Sequence, residues 1–315
     1  MATNDAHLCD RLLADGWRVT GLDCFTDYYA RSIKEAHLAA ALAQPAFSLV
    51  EADLLAVDLA PLLADVQLVY HLAGQPGVRG SWGRQFEVYT RNNILATQRL
   101  LEAALAAGSK PIVYASSSSA YGNLPVMPLQ ETMAPAPVSP YGVTKLAAEH
   151  LCRLYTDVYG LPTLSLRLFT VYGPRQRPDM GFQRFLAAAA AGQEITLYGD
   201  GAQTRDFTYV SDVVAGFVSA GDLCLAGRAA GQTLNIAGGV RASVNEVLAE
   251  VARLAGRPLR LRALPAQPGD VRDTWADTAL AQRLLGFRPA VGLAEGLARQ
   301  WADMNEGRWK MKDGR

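Results

Sequence analysis

The chain is poor in the residues that build metal centres and disulfide frameworks. Its four cysteines, Cys9, Cys24, Cys152 and Cys224, are widely spaced and form no CxxC pair. Its four histidines are scattered, and there is no HExxH stretch or His/Cys cluster. Such spacing excludes a sequence-readable zinc site and suits reduced thiols in a cytoplasmic protein. An excess of one charge is missing too, since 30 basic residues balance 30 acidic ones. That leaves no global field for nucleic acid or an anionic membrane, so any bound phosphate has to be held by local placement of Arg. Long apolar runs are also absent. Stretches such as 185–192 are too short to cross a bilayer, and the N-terminus carries no signal-peptide pattern. The expectation is a soluble, cytoplasmic, metal-free protein.

What is present is a core. Half of the 315 residues are hydrophobic and 19% are charged, a balance that favours packing over disorder. Short apolar runs at 17–24, 47–54, 66–73, 110–115 and 162–171 alternate with helical patterns, notably 89–107 and 141–159. Continuous apolar strands alternating with amphipathic helices predict an α/β fold, a doubly wound parallel sheet covered on both faces. Beyond residue 173 Pro, Gly and Arg become frequent and the strand-like runs shorten (194–198, 232–236, 259–264). We therefore expect a sheet domain over 1–172, to which 211–226 returns, and a smaller lobe over 173–315 with a frayed tail at 306–315.

The most informative spacing is Tyr141-Gly-Val-Thr-Lys145. Residues four apart share one face of a helix. An ammonium beside a phenol stabilises the phenolate, and a phenol so tuned can take a proton from a sugar hydroxyl. Alone the pattern is weak, because a Tyr and a Lys on a solvated helix face produce it as well. Here a serine run, Ser116–Ser119, ends a strand one loop upstream.

With these residues the chain resembles the extended short-chain dehydrogenases/reductases, specifically nucleotide-sugar epimerases and dehydratases. The resemblance is carried by His71-Leu-Ala-Gly-Gln-Pro-Gly-Val-Arg79, Asn93-Ile-Leu-Ala-Thr97, Ser116-Ser-Ser-Ser-Ala-Tyr-Gly122 and Tyr141–Lys145. It continues with Arg167-Leu-Phe-Thr-Val-Tyr-Gly-Pro174, Gly199-Asp-Gly-Ala-Gln-Thr-Arg-Asp-Phe207 and Pro268-Gly-Asp270, in the family's order over most of the chain. It implies a Rossmann-like fold, NAD as cofactor, Tyr141 as general base, Lys145 setting its acidity and Ser117 bridging the sugar hydroxyl. Asp23 would accept from the adenosine ribose, Asp53 and Leu54 would lie at the adenine, and Leu72, Ala73 and Gly74 against the cofactor. Arg184 and Arg205 would grip the nucleotide diphosphate, and Asp270 would touch the nucleotide ribose.

Dehydratase and decarboxylase relatives carry acids beside the catalytic Ser/Thr. This chain has Ser118 and Ser119 there, which argues against dehydration, whereas 4-epimerisation needs only Ser117, Tyr141 and Lys145. The stretch from Thr170 to Met180, with 75–82, is most similar to UDP-glucuronate 4-epimerases. In that reading Thr170 joins the substrate contacts, and Arg177 with the Ser118 and Ser119 hydroxyls holds the C6 carboxylate against loss of CO₂. A loop arginine paired to a nearby acid is an equal reading of Arg177. UDP-glucose 4-epimerase, or another sugar-nucleotide dehydrogenase, is the alternative. A homodimer through a four-helix bundle is implied, with Ile94, Leu95, Leu100, Leu101, Leu146, Leu151 and Leu154 as its apolar content; an ordinary core face explains them too.

One departure is sharp. Counting back from Asp23 puts Asp5 where the family's last phosphate-loop glycine belongs and Ala2 at the middle one, with none for the first. The sequence runs directly into a helix at 7–15, so the fold is expected to lack the usual first strand and glycine loop, and the Asp5 carboxylate to repel a pyrophosphate. Three readings stay open: a truncated enzyme with weakened NAD binding, a strand supplied from elsewhere, or a non-catalytic sugar-nucleotide-binding relative.

Overall fold

The computed structural model describes residues 3–228, 231–267 and 269–306. Met1, Ala2, Ala229, Ala230, Pro268 and the tail from 307 lie outside the described residues. The first half runs α1 (Thr3–Ala14), β1 (Val19–Asp23), α2 (Arg31–Leu42), β2 (Phe47–Glu51), α3 (Ala60–Leu63), β3 (Val69–His71), α4 (Phe86–Tyr89), α5 (Ala96–Ala106), β4 (Ile112–Ser117), α6 (Pro140–Tyr159), β5 (Thr163–Leu168) and β6 (Thr170–Tyr172). The second half runs α7 (Gly181–Ala191), β7 (Glu194–Tyr198), β8 (Thr204–Tyr209), α8 (Val210–Leu225), β9 (Gln232–Ile236), β10 (Arg241–Ser243), α9 (Val244–Ala255), β11 (Arg260–Leu264), α10 (Ala279–Leu285) and α11 (Leu293–Asn305). Among the described residues no helix is long and apolar enough to cross a membrane, and the four cysteines are free thiols.

The main sheet is parallel, in the order β3-β4-β5-β9. Its two central strands read IVYASS and TLSLRL, and each buries its first five residues, as strands covered on both faces must. One face is closed by α1 and α8, whose Leu8, Val213 and Phe217 pack on Val113 and Leu166. The other is closed by α3, α5 and α6, through Leu63, Leu101 and Ala148 on Ile112 and Tyr114. The 232–236 run, assigned to the second lobe from its texture, instead returns to pair with β5. The parallel pair β1-β2 forms a sheet of its own.

Beyond β6 the chain builds a second core around Tyr172, Phe182, Phe207 and Leu297. It carries the small sheets β10-β8-β6 and β11-β7. Helix α9 opens with a capping box between Ser243 and Glu246.

Candidate active site

The candidate reacting groups are set by two junctions. Strand β4 ends at Ser117 and turns sharply through Ser118–Ala120, with Ser117 Oγ accepting from the Ser119 N–H at 3.1 Å. Helix α6 begins opposite this turn: Ser139 caps it by accepting from the Gly142 N–H at 3.1 Å, and Pro140 fills its first position. Gly142 allows the approach, since a Cβ there would meet the Ser119 carbonyl oxygen. Tyr141, Lys145 and Glu149 then follow at one-turn intervals on a single face. Burial holds the Tyr141 phenol above its usual range, opposed in part by a hydrogen bond with Ser117 and the charge of Arg177. Burial pushes the Lys145 ammonium down to about 8, opposed by Glu149. Its Nζ lies 4.7 Å from the Tyr114 ring centroid.

Beneath Lys145 the Glu149 carboxylate is itself buried. It receives both Nε (2.9 Å) and a terminal nitrogen (2.7 Å) of Arg167 on β5, together with the Ser116 hydroxyl. The ion pair is almost fully enclosed, the two side chains being 5% and 4% exposed. This network locks α6 to β4 and β5, and so holds Tyr141 beside Ser117.

The cofactor candidates converge on one cavity of about 1010 Å³, lined by Asp23, Asp53, Leu54, Leu72, Ala73 and Gly74. Asp23 ends β1 and accepts from the Phe25 N–H at 2.6 Å. Asp53 accepts from the Leu55 N–H at 2.8 Å and from Arg91 at 2.8 Å, and the two hold its carboxyl below the usual range. Gly74 sits flush against the helix that follows: a Cβ there would meet Asn93 Oδ1 at 2.8 Å and Lys145 Nζ at 3.7 Å. The residues present fit a dinucleotide at its two ends, with acids for the ribose hydroxyls near β1 and the Tyr141–Lys145 pair beyond Gly74. Asp5 also lines the cavity.

Sequence reasoning missed Asn93 as a positioning group. It sits in a π-helical segment, Thr90–Leu95, between α4 and α5. Its amide nitrogen donates to the Gln75 carbonyl (3.1 Å) and Thr144 Oγ1 (2.9 Å), and its oxygen accepts from the Gln75 N–H (2.6 Å). Asn93 thereby ties the Gly74–Gln75 loop to α6. A polar amide within an otherwise apolar helical face was the available signal, and π-helical turns gather at functional sites.

The substrate candidates are less uniform. Thr170 opens β6, and Ser118 and Ser119 form the turn after Ser117. Arg177 is well enclosed, at 13% exposure, and grips Asp179 with two nitrogens, each at 2.9 Å. Burial raises the Asp179 carboxyl, but Arg177 outweighs it and holds the group below the usual range. Tyr28 donates to the same carboxylate at 3.2 Å. Arg205 spends its donors on backbone carbonyls, at Thr204 (2.9 Å), Val271 (2.6 Å) and Arg272 (2.9 Å), and burial lowers its pKa. Asp270, just ahead of that loop, is paired with Arg79 at 2.7 Å. Arg184 lies exposed in the first turn of α7.

Residues 6–237 match the model of the NAD dependent epimerase/dehydratase family. The chain is 42% identical over 300 residues to an uncharacterized UDP-glucose epimerase, YtcB, of Bacillus subtilis (strain 168), covering 94% of this chain and 93% of that one. It is 34% identical over 300 residues to a UDP-glucuronate 4-epimerase of Thermodesulfobacterium geofontis (strain OPF15), covering 93% and 91%. Its structure superposes, with a TM-score of 0.92, on a UDP-glucuronic acid 4-epimerase from Bacillus cereus crystallised with UDP-glucuronic acid and NAD. That pair is 38% identical, with coverage of 97% and 96%. The expected Rossmann-like fold and family are thus both found, and the chain belongs to the NAD-dependent epimerase/dehydratase family.

Proposed function

We propose that this chain is an NAD-dependent UDP-sugar 4-epimerase acting on UDP-glucuronate and forming UDP-galacturonate through a 4-keto sugar. The observation that carries the choice is Arg177, a buried guanidinium whose charge is felt at the Tyr141 phenol. A cation at that point suits a sugar with a carboxylate beside the reacting carbon. When bound, the cofactor takes the hydride from C4 and returns it to the opposite face. Tyr141 accepts the hydroxyl proton and gives it back, and Ser117 passes it along their hydrogen bond. Lys145, near Gly74, stabilises the phenolate. Ser118, Ser119 and Thr170, with Arg177, hold the carboxylate in the plane of the ketone, which resists loss of CO₂. Arg184, Arg205 and Asp270 form the nucleotide end, where Arg205 acts by fixing the 271–272 loop.

Purified protein given NAD and UDP-glucuronate should yield UDP-galacturonate by NMR without accumulating NADH. Turnover of UDP-glucose with UDP-glucuronate untouched would overturn the carboxylate clamp. That second reading is favoured by the Asp179 pair, which already satisfies Arg177 within the protein. An Arg177→Ala variant separates the two. Charge-assisted hydrogen bonds of about 1.5–3 kcal/mol predict that preference for UDP-glucuronate over UDP-glucose falls about 10- to 100-fold. An unchanged preference would assign Arg177 to the loop alone.

We also place the protein in the cytoplasm as a homodimer built on α5 and α6, with a sheet domain over 1–172, to which 211–226 and 232–236 return, and a lobe made mainly from 173–315. The dimer is supported by Leu95, Val143, Leu154 and Val158, large apolar side chains left between 45% and 60% exposed. Leu100 and Leu101, which the bundle reading had included, are buried in the protomer core instead. Sedimentation at micromolar concentration should return a dimer, and Leu154→Asp should return monomer; monomer from the parent chain would sink the assignment.

A further inference from the structure

Between β6 and α7 the chain from 173 to 180 forms neither helix nor strand, yet it carries Arg177 to the wall of the cavity. Three successive side chains of this segment leave in different directions. Arg175, held in the left-handed region at φ 58°, donates to Asp10 of α1 at 2.6 Å and to the His37 carbonyl at 3.3 Å. Gln176 turns inward and is buried. Arg177 reaches Asp179 and the cavity. The anchoring of Gln176 therefore sets where the backbone of Arg177 begins.

That anchor comes from the far end of the chain. In α11, residues 293, 297 and 304 face the second core. Position 300 completes their three- and four-residue stripe, and it is Gln300, buried where an apolar side chain is the rule. Gln300 Oε1 accepts from the Gly173 N–H at 3.1 Å, and Gln300 Nε2 donates to Gln176 Oε1 (3.0 Å) and Gln183 Oε1 (3.2 Å). Gln176 Nε2 donates to the Val171 carbonyl at 2.9 Å, and its Oε1 also accepts from the Gln183 N–H at 3.0 Å. Backbone groups dictate how both amides face. The N–H groups of Gly173 and Gln183 only donate and the Val171 carbonyl only accepts, so neither glutamine can exchange its oxygen and nitrogen without losing a bond.

We propose that Gln300 and Gln176 are positioning residues for substrate selection: their amide network fixes the place of Arg177, and through it the preference for a sugar that carries a carboxylate. This rests on the carboxylate reading of Arg177 given above. The network joins the exit of β6, the residue ahead of Arg177 and the first turn of α7, so it pins the loop on both sides of the guanidinium. Glutamine is the side chain that suits position 300. Leucine would fill the volume but leave the buried Gly173 N–H without its acceptor, and glutamate would keep that acceptor but lose both donors. Orientation matters because a displacement of about 1 Å in a group that holds substrate can cost about 100-fold in rate.

The test compares the 315-residue protein, supplied with NAD, with Gln300→Leu, Gln176→Leu and Leu297→Ala. The last opens a void on the same face of α11, three residues from Gln300, without touching the amides. Each glutamine variant should lower the ratio of kcat/KM for UDP-glucuronate over UDP-glucose about 3- to 10-fold, as loss of neutral hydrogen bonds implies. Leu297→Ala should keep that ratio within about twofold of the parent, since packing alone does not aim the loop. The Met180 N–H, which donates to the Arg177 carbonyl at 3.1 Å, reports on the Arg177 backbone. Its hydrogen exchange should quicken about 10-fold or more in the glutamine variants and not in Leu297→Ala. Gln176→Leu, placed in a loop, gives the same readouts should Gln300→Leu not fold. The proposal fails if Met180 exchange keeps the parent rate in the glutamine variants, or if Leu297→Ala moves ratio and exchange as far as they do. Arg177→Ala measured alongside separates the two readings. If it loses the preference and the glutamine variants do not, the network proposal fails and the carboxylate reading stands. If it keeps the preference, the carboxylate reading is what fails, and Met180 exchange still decides whether the network holds the loop.

Discussion

Tyr141→Phe is expected to lower epimerase turnover by about 10²–10⁴-fold, the range spanned by loss of a general acid–base group. The substitution removes one oxygen from a residue at the second position of α6, whose ring packs edge-on to Tyr89 with centroids 6.2 Å apart. Those ring contacts survive in Phe, so circular dichroism and the unfolding midpoint should stay close to those of the parent. What is lost is the acceptor for the sugar proton, beside Ser117 and within the field of Arg177. A variant that retained more than about a tenth of the parent rate would reassign the base, since proton transfer of this kind is worth more than tenfold.

Arg167→Met should cost about 3–5 kcal/mol of stability, because it strips the partner from a buried carboxylate. Glu149 would keep only the Ser116 hydroxyl among its present donors, and the Tyr121 ring would lose the guanidinium whose carbon lies 4.4 Å from its centroid. Equilibrium urea unfolding is the appropriate measurement. The double variant Arg167→Met with Glu149→Leu should recover much of the loss, because a well-packed apolar pair replaces a buried ion pair at little cost. If the single variant unfolded within about 1 kcal/mol of the parent, the network would be no more than a surface-grade pair.

The helix that carries the proposed Tyr141–Lys145 pair was legible because its spacing is local. A helix places residues four apart on one face wherever it sits, and α6 begins and ends within one residue of the 141–159 pattern. Strand β7 falls on 194–198 as read, since its alternation and its flanking Gly residues are local signals too. What escaped reading depends on long-range partners. α2 (Arg31–Leu42) buries Lys34 and His37 beside Leu38 and Ala41, a mixture with no clear apolar stripe. The return of 232–236 to the main sheet is a pairing choice that composition does not encode. Arg205 reads as a free phosphate grip until the carbonyls of 271 and 272 are seen to occupy it. Asp179, two residues from Arg177, was within reach of the sequence, and the loop-pair reading of that arginine anticipated it.

The separation of the β1-β2 pair from the main sheet divides the molecule energetically. Among the described residues, α1, β1, α2 and β2 adhere to the remainder through helix packing and through loops, without a strand-to-strand ladder across the break. Such a block can open as a unit of its own, at lower free energy than global unfolding. On warming, the half that carries Asp23 would melt first, while Ser117, Tyr141 and Lys145 stay anchored to the better-protected strands β4 and β5. Heat would thus separate the two halves of the proposed dinucleotide site.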